Sequence, residues 1–230
     1  MINADPWSPI VVGTEKKKTQ IGRAVAALVK EKISILPLFQ CDPDLFRAAK
    51  SEAMALTWGD GRRHSTWRIP KMTFHQYNLY SRGDDPDDFI EEYDVWKPKR
   101  HFIPGLSAIP ELLKHYFGAT EMQNCRLLTV NHLGALGGHR EPIIKIMGRP
   151  DHYKLRFHMP FSTSTRVKFY MGEETHTMKE GHFYLYNQSC LHAVKNVLGI
   201  QRAHLVFDYF LNPTVLEKLI IPALKHQGEN

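Results

Sequence analysis

Long apolar runs are missing from this chain. No stretch approaches the roughly 18 consecutive apolar residues of a membrane-spanning helix. The opening segment, MINADPWSPIVVGTEKKKTQ, lacks the basic-then-apolar order of a secretion signal, so a cytoplasmic location without membrane contact is expected. Cysteine is scarce: Cys41, Cys125 and Cys190 are three in number, widely spaced and without any CxxC pair. That pattern excludes a disulfide framework and a cysteine zinc site and leaves three reduced, mostly buried thiols. Repeats and low-complexity segments are absent as well. Acidic residues are outnumbered, 24 against 30 basic ones, for a net charge of +6. The basic residues are scattered, and the one run, Lys16-Lys17-Lys18, reads as a solvated approach to a helix. Nucleic acid is therefore a partner supported by charge alone and is disfavoured, whereas a small anionic substrate suits the basic balance.

What is present is an ordinary soluble composition, 43% hydrophobic over 230 residues, enough for one real core. A single domain over residues 1–230 is expected. Its first part, 1–120, is helical and rich in loops. Apolar residues at helical spacing mark Ile21 to Val29, and again Pro43 to Met54 after an Asp-Pro-Asp start signal. Residues 59–101 read as long loops with short strands. Within them, Asp84 to Asp88 lacks the spacing of a Ca²⁺ loop, and Arg62, Arg63 and His64 lie between Trp58 and Trp67 in a loop packed by its tryptophans. Ile109 to Phe117 is a helix with Pro110 in its first turn and Gly118 after its end. From Cys125 the chain changes to short segments rich in β-branched and aromatic residues, CRLLTVNHL, YKLRFHMPF, TRVKFYMG, GHFYLYN and QRAHLVFDYF, separated by turn signals. Such a series is the pattern of an antiparallel barrel or jelly roll. The tail from Thr214 to His226 returns to helix. The expected class is α+β, a jelly-roll core over 125–212 with a C-terminal helix over 213–230.

One short stretch carries chemistry. In GALGGHREPI, His139 and Glu141 are two apart on extended chain and project to one side. Gly137 and Gly138 let the backbone approach a buried centre, and Pro142 fixes the exit of the chain. His192 follows on a later strand. Two histidines and one carboxylate leave three positions of an octahedron open, the facial triad of non-haem Fe(II) oxygenases. Arg202 lies ten residues beyond His192 on a core strand. A guanidinium there needs an acid, and a 2-oxo acid supplies one through a charge-assisted, bidentate clamp. The bland alternatives stay open here: His139 a loop histidine, Glu141 paired with Arg140 or Lys145 at the surface, Asp208 a structural neighbour of Arg202 on its strand face, Glu173-Glu174 a hairpin turn, and the whole a jelly roll that senses metal or anions without turnover.

The pieces GGHREP, KLRFHMPF, MGEETHTMKEGHFYLYNQSCLHAVKN and QRAHLVFDYF, in this order and spacing, resemble the Fe(II)/2-oxoglutarate dioxygenases of the aspartyl/asparaginyl β-hydroxylase type, in their proline-hydroxylase-like branch. The resemblance spans 125–210 and implies a double-stranded β-helix. It implies His139, Glu141 and His192 as iron ligands and Arg202 as the anchor of the far carboxylate of 2-oxoglutarate. It also implies Arg156 and His158 as polar residues at the co-substrate and Thr129 as a further hydroxyl there. Fe(II), 2-oxoglutarate and O₂ would be the cofactor and co-substrates. Glu141 stands where the family usually has aspartate, and being one methylene longer it must fold back. A carboxylate at this position favours hydroxylation over halogenation. The long segment from Pro142 to Tyr153 could close over a substrate. The implied substrate is a free amino acid or a small amino-acid-derived metabolite, with a peptidyl or carrier-bound residue as the alternative. Homodimerisation stays open.

Overall fold

The computed structural model describes residues 33–58, 74–81, 97–98, 107–118, 122–131, 133–141, 144–145, 153–197, 201–210 and 215–228. The expected helix from Ile21 to Val29, the Lys16–Lys18 run, the Arg62–His64 and Asp84–Asp88 loops, and nearly all of the segment after Pro142 lie outside the described residues. The strands are β1 (Ile35–Gln40), β2 (Phe74–Ser81), β3 (Lys97–Pro98), β4 (Met122–Val130), β5 (Ala135–His139), β6 (Ile144–Lys145), β7 (Tyr153–Ser162), β8 (Val167–Met171), β9 (Glu174–His176), β10 (His182–Tyr186), β11 (His192–Asn196) and β12 (Arg202–Phe210). The major sheet runs β1-β10-β7-β12-β4-β2-β3, with β6 beside β7, and the minor sheet runs β5-β11-β8-β9. All pairings are antiparallel. Two such sheets form the double-stranded β-helix that the strand pattern predicts.

Two-residue alternation along β12 sets the layers. Ala203, Leu205, Phe207 and Tyr209 join a core with Leu127, Phe157 and Phe183, and that core also takes in residues of the helices. Arg202, His204, Val206 and Asp208 alternate with them and face the other sheet. Between the sheets a second core gathers Val130, Phe169, Met171, Tyr186 and Val194. The helices are α1 (Pro43–Trp58), α2 (Ala108–Phe117) and α3 (Ile221–Gly228), the last preceded by a π-helical turn, Leu216–Ile220. Asp42 caps α1, its Oδ1 accepting from the Asp44 and Leu45 amides at 2.9 and 3.0 Å. Glu52 of α1 caps α2 from outside, its carboxylate accepting from the amides of Ser107, Ala108 and Ile109. Gly118 ends α2 at φ 73°, a conformation that favours glycine. Phe117 packs edge-on against Phe157, Phe183 and Phe207 at 5.1, 5.3 and 4.9 Å, and the Tyr209 hydroxyl donates to its carbonyl. Burial of each such ring stabilises by about 1.5–3 kcal/mol. Pro222 has no amide hydrogen for a regular bond to the preceding turn, which accounts for the π-helical start of the tail. None of the described helices is long and apolar enough to cross a membrane.

Two elements differ from the reading of the sequence. ILPLFQ is a strand, β1, although the first third reads as helical. It takes the edge of the major sheet, where Pro37 is tolerated beside a register shift. Phe74–Ser81 is a full eight-residue strand, longer than the short strands expected among the loops of that stretch. The β core thus draws on chain before residue 125.

Candidate metal centre

The minor sheet brings the two histidines together. His139 on β5 lies directly opposite His192 on β11, so both imidazoles leave the same face. Their Nε2 atoms are 3.0 Å apart. Each ring is held from behind in the same way: His139 Nδ1 donates to the Gly137 carbonyl at 2.9 Å and His192 Nδ1 to the Cys190 carbonyl at 2.8 Å. A neutral ring with its proton on Nδ1 carries its lone pair on Nε2, so two lone pairs converge. The Glu141 carboxylate stands 3.5 Å from His139 Nε2, and its backbone amide donates to the Gln188 carbonyl at 2.9 Å, tying this turn to the approach to β11. One donor atom of each of the three residues lies within 4.8 Å of the others. Two imidazole nitrogens and a carboxylate oxygen gathered in one place fit a divalent iron ion.

The electrostatics agree. Burial pushes His192 down to about 4, and the neighbouring His139 adds to the shift. The Glu141 carboxylate beside it raises the His139 pKa against the opposing effect of burial. Burial works against the Glu141 carboxylate, but the Arg156 guanidinium and the neighbouring His139 outweigh it and hold its pKa well below the usual carboxylate range.

Arg156 is the hinge of a second, buried network. Its Nη1 donates to Glu141. Its Nε and Nη2 donate to the two oxygens of Asp208 at 2.7 and 3.1 Å. Asp208 also accepts from Asn124 at 3.0 Å and has Arg126 at 3.7 Å. Arg156, which its family likeness assigns to the co-substrate pocket, here bonds Glu141 and Asp208. Glu141 forms no pair with Arg140 among the described residues, and the side chain of Lys145 lies outside them. Asp208 shares a strand face with Arg202 but binds Arg156.

Arg202 is 1% exposed and has no carboxylate beside it among the described residues. Its Nη2 donates to His204 Nδ1 at 2.8 Å, its Nε is buried without a partner, and its guanidinium carbon lies 5.8 Å from the Phe169 ring centre. Burial pulls its pKa down to about 9. Both ring nitrogens of His158, the Tyr186 hydroxyl and His204 Nε2 are likewise buried without hydrogen bonds. The rings of His158 and Tyr186 are 4.9 Å apart, and Tyr186 is 4.9 Å from His192. A continuous polar lining therefore runs from Arg202 through His204, His158 and Tyr186 to the histidine pair. Buried polar groups without partners call for a polar occupant.

Thr129 is the correction. It pairs with Ala203, which belongs to the core on the helix side of the sheet, so its hydroxyl lies across the sheet from Arg202. On β4, Leu128 and Val130 hold the interior positions, opposite His204 and Arg202. Reading the sequence assigned no role to Tyr186 or His204. Counting by two from Arg202 reaches His204, and that is the signal that could have found it.

Residues 57–211 match the model of the family described as aspartyl/asparaginyl beta-hydroxylase. No curated protein matches the chain. Among solved structures it is similar to a 2OG-Fe(II) oxygenase-family oxidoreductase from Burkholderia pseudomallei (12% identity, 88% of this chain and 95% of that one, TM-score 0.48). A Pseudomonas putida prolyl-4-hydroxylase is similar at 11% identity, over 84% of this chain and 100% of that one, with a TM-score of 0.49. A prolyl hydroxylase from Trichoplax adhaerens, in complex with a hypoxia inducible factor peptide fragment, is similar at 10% identity, over 83% and 88%, with a TM-score of 0.48.

Proposed function

The chain belongs to the aspartyl/asparaginyl β-hydroxylase family, whose members are Fe(II)- and 2-oxoglutarate-dependent hydroxylases, and from that premise we propose that it hydroxylates an unactivated C–H bond of a free amino acid or a small amino-acid-derived metabolite. In this reading His139, Glu141 and His192 hold Fe(II). The convergence of their donor atoms within 4.8 Å carries the assignment. The chemistry Fe(II) supplies when bound, with 2-oxoglutarate and O₂, is C–H hydroxylation with release of succinate and CO₂.

The chain's own part is to bind, aim and exclude water. Arg202 offers a planar, charge-assisted fork in a dry setting to the far carboxylate of 2-oxoglutarate. His158, His204 and Tyr186 present polar atoms along the co-substrate's path to the metal. Arg156, clamped by Asp208, keeps the longer Glu141 side chain folded back toward His139. The two backbone carbonyls behind His139 and His192 fix the orientation of the rings.

A screen for succinate release tests the proposal, with Fe(II), 2-oxoglutarate and a panel of free amino acids set beside short peptides. Stimulation by free amino acids supports it. Stimulation by peptides alone transfers the activity to a peptidyl residue. The weak visible absorption of the Fe(II)–2-oxoglutarate chelate, lost in His192→Ala, checks the site independently of the substrate.

A further inference from the structure

Lys154 is a buried cation, 8% exposed, to which no hydrogen-bond acceptor is joined among the described residues. It lies opposite Phe210 on β12 and Ile144 on β6. Alternation along β7 puts it on the interior face with Arg156 and His158. The charged groups acting on it are Asp208, Arg156, Arg126 and Glu141. Both carboxylates already hold other partners, and neither bonds Lys154 among the described residues. Asp208 accepts from two donors of Arg156 and from Asn124, and Glu141 accepts from a third donor of Arg156 and stands beside His139. Arg126 donates to Asn124 at 2.9 Å and lies within 3.7 Å of Asp208. Three cations therefore face two carboxylates that are already engaged, and a metal on Glu141 takes one of those charges. Burial pulls the Lys154 pKa down, with Asp208 opposing. The stem is enclosed while the ammonium lies at the margin of the interior, partly desolvated and without an acceptor among the described residues, and such a cation costs the fold more than a methionine of similar length would.

We propose that the Lys154 ammonium, flanked by Arg126, receives a carboxylate of the substrate and selects acids over neutral analogues. The inference rests on the reading of the substrate as a free amino acid or related small metabolite, and it names the group that recognises it. The co-substrate does not fill this place. Phe210, the strand partner of Lys154, is eight residues along β12 from Arg202, about 27 Å of extended chain at roughly 3.3–3.4 Å per residue. A diacid as short as 2-oxoglutarate, held on Arg202, does not span to Lys154. The lysine and the arginine mark opposite ends of the interior, with the metal ligands between them.

The test uses the whole enzyme with Fe(II) and 2-oxoglutarate, and free L-amino acids beside their carboxamides and short peptides, read as succinate release. The wild type is expected to respond to one or more acids and at least about tenfold less to the matching carboxamides, as loss of a charge-assisted pair requires. In Lys154→Gln the KM for the acid rises at least about tenfold and the acid-over-amide preference falls to within about twofold, while Lys154→Arg keeps part of it. Without substrate, Lys154→Gln melts at or above the wild-type temperature, because an unpartnered ammonium has been removed. Should that variant melt lower, Lys154→Met supplies the same comparison. An acid-over-amide preference unchanged in the variants overturns the role of Lys154 and leaves the free-acid substrate standing. Turnover of peptides alone, or of nothing in the panel, overturns both.

Discussion

Arg156 and Asp208 meet side-on, guanidinium to carboxylate, through two bonds of 2.7 and 3.1 Å in a place where Asp208 is 1% exposed. Removing one charge from such a pair strands the other. Asp208→Asn is expected to destabilise the fold by about 3–5 kcal/mol, the range for breaking a buried pair. Urea denaturation measures the change. The same variant should weaken Co(II) binding, used as a spectroscopic stand-in for Fe(II), because Arg156 no longer holds Glu141 in place. A loss of stability with unaltered Co(II) affinity would confine the pair to a structural role.

The pH dependence follows from the same aspartate. Burial disfavours the Asp208 carboxylate, but Arg156 and Arg126 outweigh it and hold its folded-state pKa well below the usual range. A depressed carboxylate contributes stability above its unfolded value of about 3.9 and loses it as pH falls below that. The midpoint urea concentration should therefore drop steeply below about pH 4 in the wild type, and less steeply in Asp208→Asn.

His192→Ala removes one of two facing lone pairs and, with it, a ring contact to Tyr186 at the edge of the second core. The expected outcome is complete loss of Fe(II) binding and turnover with a normal far-ultraviolet circular dichroism spectrum. Full turnover in this variant would overturn the ligand assignment.

Arg202→Lys keeps the charge and discards the fork. The apparent affinity for 2-oxoglutarate should fall at least about tenfold, on the order of 1.4 kcal/mol. Saturation curves for succinate release measure it. Unchanged saturation would place the anchor elsewhere.

Glu141→Ala is expected to lower hydroxylation by orders of magnitude, whereas a carboxylate merely pairing at the surface would leave activity nearly intact. Product analysis at high chloride adds a second readout, since vacating the carboxylate position opens room for halide. Wild-type hydroxylation in Glu141→Ala would remove Glu141 from the metal.

The alternation of residues through 125–210 made the antiparallel core legible, because strands with one face on a core repeat every two residues. His139, Glu141 and His192 were legible as a set because extended chain puts i and i+2 on one side. Thr129 was misplaced because the parity of β4 against β12 is fixed only by register, and one residue of slip moves a side chain through the sheet. The grip of Arg156 on Glu141 joins two elements whose mutual distance no local pattern states. β1 escaped notice because ILPLFQ is short and contains proline, which is compatible with a strand only at an edge that the sequence does not reveal.

Among the described strands β5 ends the minor sheet, so His139 rides on a border strand paired on one side only. Such a margin frays before the interior gives way. Heat should then inactivate the enzyme in two stages: a reversible loss of metal as β5 lifts and carries His139 off, followed at higher temperature by cooperative melting of the sandwich. A stored or warmed sample of this protein would be folded and silent before it was unfolded, and added Fe(II) would revive it.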